Sequence, residues 1–478
     1  MMLISFIICL VSFLVIGLAS ARLRKQNAQD YYLASHSVSP WLVGLSAVAT
    51  NNSGYMFIGV IGYTYAVGLS ASLLMIGWIL GDLLASLWVH QRLRAQALRQ
   101  GESSYIGALA AWAGFSGRRF RVIAALIALV FLLSYAAAQL VAGSKALQVL
   151  LGWPVWMGAL IGALLVMLYC IAGGIRASIW TDAAQSLVMI LAMGLMLVVA
   201  VQALGGVSAS VAAMNEIPGF LSFSPASVLL PGAAGVGIFF IGWLLAGFSV
   251  IAQPHIMVRF MTLNASCGFV RTRLWYYSWF VVFYCMATAV GMLARIYLPA
   301  AENFDAELAL PQMAVELLPP VLVGLVLAGI FAATVSTADS LLLSCSSFLS
   351  QDIAPRLFTS SKGHIRGIKL ATLLATCAAL AWALLNQQSV FALVVLSWAM
   401  LGAAFVPLIM LLCLAKRLTQ TLALWLMVLG CGVVFVLHAC GFGGDLYLGL
   451  PAAVMVFMAY GLSLYFSPLS GSINIKHR

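Results

Sequence analysis

The sequence predicts an all-α, polytopic membrane protein of about thirteen transmembrane helices. Three observations predict it: an apolar composition, a series of apolar runs long enough to cross a bilayer, and basic residues gathered at alternate junctions between them. Of 478 residues, 64% are hydrophobic and 7% charged, whereas a soluble domain carries about 25% charged residues. So few polar side chains cannot cover a water-facing surface, so lipid is the solvent. Apolar runs lie at 2–21, 40–66, 69–90, 121–151, 155–174, 180–204, 229–252, 274–297, 318–349, 367–386, 390–414, 421–441 and 446–467. They extend from end to end and leave no room for a soluble domain, so 1–478 reads as one transmembrane unit.

Charge placement orients the runs. Basic residues follow the odd-numbered ones: Arg22, Arg24 and Lys25; Arg92, Arg94, Arg99, Arg118, Arg119 and Arg121; Arg176; Arg259, Arg271 and Arg273; Arg356, Lys362, Arg366 and Lys369; Lys416 and Arg417; Lys476 and Arg478. Of 23 basic residues, Lys145 and Arg295 alone fall near the opposite side, where Glu216, Glu302, Asp305, Glu307, Glu316 and Asp445 also lie. The positive-inside rule then gives a cell (inner) membrane protein with its N-terminus outside and its C-terminus cytoplasmic. The first run lacks a basic leader and a small-residue cleavage site, so it reads as a retained anchor. The net charge of +11 therefore reflects cytoplasmic loops and the bilayer as partner, with no nucleic acid and no obligatory protein partner implied.

The nine cysteines are scattered along the runs without metal or redox spacing. His36, His90, His255, His364 and His477 sit at loops or helix ends, and His438 stands alone near an outer end. Without a Ser-His-Asp or paired-histidine pattern, the chain does not read as an enzyme.

Two runs are interrupted. The second holds Ala49-Thr50-Asn51-Asn52-Ser53-Gly54, and the seventh holds Gly242 and Gly247 before Gln253-Pro254. Irregular backbone is tolerated in a bilayer where it lines a cavity, and corresponding breaks in two halves mark a transporter's binding site. The breaks lie five runs apart. That spacing divides the chain into an extra N-terminal helix within 1–25, repeats at 40–204 and 229–414, and two C-terminal helices at 421–467.

Three of the twelve carboxylates, Asp82, Asp182 and Asp339, lie inside apolar runs. Each costs about 2.5–3.5 kcal/mol on insertion scales. No basic residue is expected at matching depth, so an external cation would answer that need. On a helix, Ala333, Ser336, Thr337 and Ser340 share one face, with Asp339 beside it. Hydroxyls, a carboxylate and backbone carbonyls freed at a break make an oxygen cage suited to a hard cation.

These segments resemble the sodium/solute symporters, which share the leucine-transporter inverted-repeat fold, and the proline branch looks most similar. The resemblance runs from about residue 30 to 465, on Asp30-Tyr-Tyr-Leu-Ala, Ser46 to Gly54, Ala172 to Gln185 (with its Trp-Thr-Asp), Gln253 to Phe260, and Ser336-Thr-Ala-Asp-Ser340. It implies sodium-coupled symport of a small organic solute, an amino acid such as proline or an organic acid, by alternating access. It also implies a sodium site formed by the carbonyls of Ala49, Asn52 and Ala333 and the hydroxyls of Ser336 and Thr337. Asp182, with Asp339 and Ser340, matches a second cation position of some members.

Two positions depart from the proline branch. Asn51 stands where that branch has an aspartate; Asp339 would restore the charge, or protons would replace sodium. Ala246 and Val250 stand where it has Trp and Tyr. A different pocket is then expected, lined by Asn51, Ser53, Gly54, Tyr55, Tyr135, Gln139, Trp243 and Phe248 around Ala246 and Val250. A proton-coupled carrier of the same fold and a transporter-like solute sensor are the competing expectations.

Overall fold

The computed structural model describes residues 1–23, 25, 27–226, 228–264, 266–298, 304–358, 364–385, 389–416, 418–443 and 446–466. Arg24, Glu302, Lys362, Arg417, Asp445, Lys476, His477 and Arg478 lie outside them. Numbering the principal helices along the chain, α1 is Met2–Ser20, α2 Pro40–Asn51, α3 Ile61–Val67, α4 Ala71–Trp88, α5 Arg118–Leu151, α6 Val155–Gly173 and α7 Ile175–Ala203. Then come α8 Gly232–Phe248, α9 Pro254–Met261, α10 Phe269–Tyr297, α11 Pro320–Ser347, α12 His364–Leu385, α13 Val390–Cys413, α14 Gln420–Ala439 and α15 Gly449–Phe466. Among the described residues, strand-like pairing is limited to one bridge between Val38 and Leu263. The reason is the solvent: in hydrocarbon each backbone amide must bond internally, which a helix does within its own segment.

Eleven helices are long and apolar enough to cross a membrane among the described residues. The expected thirteen is two more: it divides the 34-residue stretch Tyr55–Trp88 and includes Gly449–Tyr465, a shorter apolar helix than those eleven. The division falls at Gly68, whose φ of +69° and nearness to Phe220, with its carbonyl oxygen 2.2 Å from where a Cβ would sit, leave no space for a side chain. α5 begins at Arg118, earlier than the apolar run, because basic side chains at a helix end reach water while their stems stay in the helix.

Both interruptions are real breaks. α2 starts on Ser39-Pro40, proline being suited to the first helical position, and ends at Asn52, whose φ of −90° and ψ of +67° leave the helix. The chain resumes as a π-helical turn over Tyr55–Val60, a wide turn often found at functional sites. In the seventh run, α8 tightens into a 3₁₀ turn at Ser249–Ala252 and ends at Gln253, with φ −99° and ψ +95°. Pro254, which has no amide hydrogen to donate, restarts the chain as α9. The Val38–Leu263 bridge ties the start of α2 to the end of α9, with Val38 N–H donating to Thr262 O at 3.2 Å and Asn264 N–H to Val38 O at 3.0 Å.

Small residues bring the broken helices onto their neighbours. A Cβ on Gly81 of α4 would lie 1.8 Å from the Leu244 carbonyl oxygen of α8, and one on Gly247 would lie 1.9 Å from that of Trp78. Such contact is how helices associate where lipid removes the hydrophobic incentive. α11 is buried on every side from Val326 to Ser347, so it is the central post of the fold. Gly54 at the first break touches it: a Cβ there would meet the Thr334 methyl at 2.5 Å.

Candidate ion and solute site

The end of α2 and the middle of α11 meet through oxygen atoms. Ser336 Oγ donates to Ala49 O at 3.2 Å and lies as near Ala333 O, while Thr337 Oγ1 donates to Thr50 O at 2.9 Å. Ser340 Oγ donates to Ser336 O at 2.7 Å and lies 3.1 Å from Thr50 Oγ1. Four of the five residues expected to hold sodium thus converge, all fully buried. The fifth, Asn52, is buried next to them and turns its Nδ2 back onto Val48 O at 2.9 Å. Because α2 stops at the break, its last carbonyls have no intrahelical donors and face α11.

Asp182 on α7 and Asp339 on α11 also come together, and here the sequence reading needs correction. No basic residue was expected at their depth, yet Arg259 lies between them with its side chain fully buried. Its Nη2 is 3.4 Å from Asp182 Oδ2 and 3.4 Å from Asp339 Oδ1, and it also hydrogen-bonds Ser178 and Ser340. Ser46 donates to Asp182 at 2.7 Å, and Ser178 and Tyr169 donate to Asp339 at 2.9 and 2.7 Å. The apolar run ends at Ala252, so Gln253-Pro254-His255 reads as the start of a loop. In the fold the chain re-forms a helix there, α9, and carries Arg259 back among the membrane helices.

Residues of the expected pocket gather around the breaks. Gln139 Oε1 accepts from Gly54 N–H at 2.8 Å, and Tyr135 OH donates to Ser53 Oγ at 3.1 Å. Tyr55 stacks on Phe391 with ring centroids 5.2 Å apart and lies 5.8 Å from Trp78, which stacks in turn on Trp243 at 5.8 Å. Ala246 lends its carbonyl to Trp398 Nε1 at 2.7 Å. Val250 is buried in the 3₁₀ turn, while Phe248 is half-buried. Asn51 faces the other way, toward Asp82 on α4.

Three residues at this site carried no signal in the sequence: Trp78, Trp398 and His255. The His255 ring lies 5.4 Å from Tyr135 and 6.5 Å from Trp398. Among the described residues its two nitrogens have no hydrogen-bond partner, nor do Asn52 Oδ1, Tyr55 OH, Gln139 Nε2 and the Gln253 amide. Buried polar atoms are almost always paired, so this concentration of unpaired ones at the breaks singles out the region.

The model of the sodium:solute symporter family matches residues 31–430. The chain belongs to that family. A sodium/proline symporter of Escherichia coli (strain K12) is 30% identical over 97% of this chain and 92% of its own length. A high-affinity proline transporter of Bacillus subtilis (strain 168) is 30% identical over 93% of each chain. Among solved structures, the substrate-bound outward-open state of a sodium-coupled sialic acid symporter superposes with a TM-score of 0.81 at 22% identity, covering 98% of both chains. Mhp1, a nucleobase-cation-symport-1 family transporter in a closed conformation, gives 0.58 at 17% identity, covering 92% of this chain and 96% of its own. The fold is therefore the five-plus-five inverted repeat with two broken helices. The chain is a multi-pass membrane symporter that uses sodium to move a small solute, and it is not an enzyme.

Lys145 is one of the two basic residues that depart from the charge pattern of the loops. Its Nζ pairs with Asp305 at 3.1 Å and Glu307 at 2.6 Å, so acidic neighbours neutralise it locally.

Proposed function

We propose that sodium binds between α2 and α11, on the carbonyls of Ala49, Asn52 and Ala333 and the hydroxyls of Ser336 and Thr337. The observation that carries this reading is the pair of contacts from Ser336 to Ala49 O and from Thr337 to Thr50 O, which bring hydroxyls of one helix onto the open carbonyl end of another. A cation there bridges two elements that move relative to one another in alternating access. At high external sodium the bridge favours the outward-facing arrangement and orders the break; at low internal sodium it dissolves and the solute leaves.

Asp182, Asp339 and Ser340 form a candidate second cation or proton position. Arg259 supports that reading: two carboxylates share one guanidinium, which leaves the cluster balanced by one further monovalent cation. The solute is assigned to the space around Ser53, Gly54, Tyr55, Tyr135, Gln139, Trp243, Ala246, Phe248 and Val250, to which Trp78, Trp398 and His255 are added; Asn51, whose amide turns to Asp82, is left out. Stacked rings supply apolar contact, and the unpaired amide, hydroxyl and imidazole groups supply hydrogen bonds to a small polar solute. Names of the relatives make proline the first solute to test. The absence of a Trp and a Tyr at Ala246 and Val250 favours another amino acid or an organic acid as the alternative. The protein is assigned to the cell's inner membrane, N-terminus outside and C-terminus cytoplasmic, from the distribution of basic residues.

Uptake of radiolabelled proline, other small amino acids and organic acids into proteoliposomes tests this reading, with imposed sodium and pH gradients compared. Sodium-driven accumulation of one panel member is expected. Accumulation driven by the pH gradient alone would replace sodium with protons in the coupling step.

A further inference from the structure

Asp82 is the one intramembrane carboxylate that the ion and solute site does not use. It sits on α4, wholly buried, and accepts three hydrogen bonds from neutral donors: Tyr276 OH at 2.6 Å, Tyr277 OH at 3.1 Å and Asn51 Nδ2 at 3.2 Å. Asn51 Nδ2 also donates to Tyr276 OH at 2.5 Å. Among the described residues no cationic side chain lies within 4 Å of Asp82. Arg273, one turn before Tyr277 on α10, is instead committed to Ser86, donating to its Oγ at 2.8 Å and its carbonyl at 2.6 Å. A fully buried carboxylate held by three neutral donors has its oxygens hydrogen-bonded but no counter-charge beside it.

Its position gives that charge a use. Asn51 is the last residue of α2, and its backbone lies between the carbonyls of Thr50 and Asn52. Pinning the Asn51 amide therefore fixes the last turn of α2, including Ala49 O opposite Ser336 and Thr50 O opposite Thr337. A helix C-terminus already carries partial negative charge, and an unpaired anion one hydrogen bond away deepens the attraction for a cation in a poorly screening interior.

We propose that Asp82 is a positioning residue for the sodium site: through Asn51 it holds the open end of α2 and supplies the negative charge that the break itself lacks. This rests on the sodium reading of Ala49, Ser336 and Thr337. Asn51 and Asp82 are then a matched pair, the amide donating and the carboxylate accepting. The same charge moved onto position 51, with position 82 neutral, serves the same site.

Sodium-induced thermal stabilisation of the purified protein in detergent, titrated with sodium chloride against choline chloride, reads this directly and needs no solute. Asp82→Asn is expected to raise the sodium concentration for half-maximal stabilisation about tenfold or more. The double variant Asp82→Asn/Asn51→Asp is expected to return it to within about threefold of the wild type, which a purely structural role for Asp82 would not do. Tyr276→Phe, which keeps the charge but removes its shortest hydrogen bond, shifts the midpoint in the same direction by less and covers the case in which Asp82→Asn does not accumulate. A wild-type midpoint in Asp82→Asn overturns the proposal, as does a folded double variant no better than the single one. Ser336→Ala serves as the separate control: a midpoint raised about tenfold there with an unchanged Asp82→Asn midpoint fails this proposal alone. No sodium response in the wild type fails the underlying reading.

Discussion

Two clusters of buried acid flank the first break, and they are held in opposite ways. On one side Asp182 and Asp339 share Arg259, with serine and tyrosine hydroxyls filling the remaining positions. On the other side Asp82 has two tyrosines and an asparagine and no cation. The difference separates two acids that share one cation from an acid held by neutral donors alone. A guanidinium between carboxylates from α7 and α11 ties α9 to both, whereas Asp82 is held by neutral donors alone and reaches α2 through Asn51.

The largest test of that contrast removes the shared cation. Arg259→Leu leaves two carboxylates buried without a counter-charge, and a loss of about 3–5 kcal/mol is expected, read as a fall in thermal unfolding temperature and in folded yield. A second change, Asp339→Asn, is expected to recover part of it, because the two residues are in contact and their effects do not add. Wild-type stability in Arg259→Leu would erase the distinction between the clusters.

Next in size is Gly81→Ala, beside Asp82. The added methyl would sit 1.8 Å from Leu244 O, so α4 and α8 must separate, at a cost of about 1–3 kcal/mol. The same thermal measurement checks it, and an unshifted unfolding temperature would show that the two helices need not touch to station Asp82.

Ser336→Ala probes the object on which both clusters bear. Loss of its hydroxyl is expected to raise the sodium needed for half-maximal uptake about tenfold, equivalent to ~1.4 kcal/mol. Unchanged sodium dependence would remove Ser336 from the ion site and leave the two acid clusters with nothing in common.

The smallest effect belongs to an ion pair at the membrane's edge, a useful reference for the buried ones. Asp30 lies 2.7 Å from Arg176. Burial pushes its carboxyl up, but hydrogen bonds from Arg176, the Lys25 amide and Ser35 outweigh burial and hold it below the usual carboxylate value. Its contribution to stability is therefore complete above about pH 4, the value for an unfolded aspartate, and is lost as pH falls through the lower folded value. The unfolding-temperature difference between wild type and Asp30→Asn is expected to shrink over that acid range; a difference independent of pH would show that the pairing does not depend on Asp30's charge.

Much of this was legible in the sequence because the bilayer imposes simple rules. Apolar length and alternating basic junctions exposed the helices, and Asn51-Asn52-Ser53-Gly54 announced the first break, since four polar or small residues in a row are poor helix formers at membrane depth. Ser336, Thr337 and Ser340 declared one helical face by their spacing alone. Arg259 did not declare itself. It follows the Gln253-Pro254 break, where composition looks like a loop, and only the renewed helix α9 shows that it points inward. Tyr276 and Tyr277 were likewise hidden, because an aromatic residue in an apolar run has the same pattern whether it packs, stacks or holds a carboxylate. Asn51 read as a lost charge, since the acid next to it is 31 positions further along the chain.

By itself, then, the sequence determined the solvent, the order of the helices and the places where they break, because each depends on residues close together in the chain and on the cost of polar groups in lipid. Which carboxylate meets which cation was decided only by the tertiary structure. Asp182, Arg259 and Asp339 lie on three helices, and Asp82 reaches Asn51 from a fourth. Such pairings follow from helix packing, in which a glycine at position 81 or 247 fixes how closely two helices approach and so which side chains come within hydrogen-bond reach.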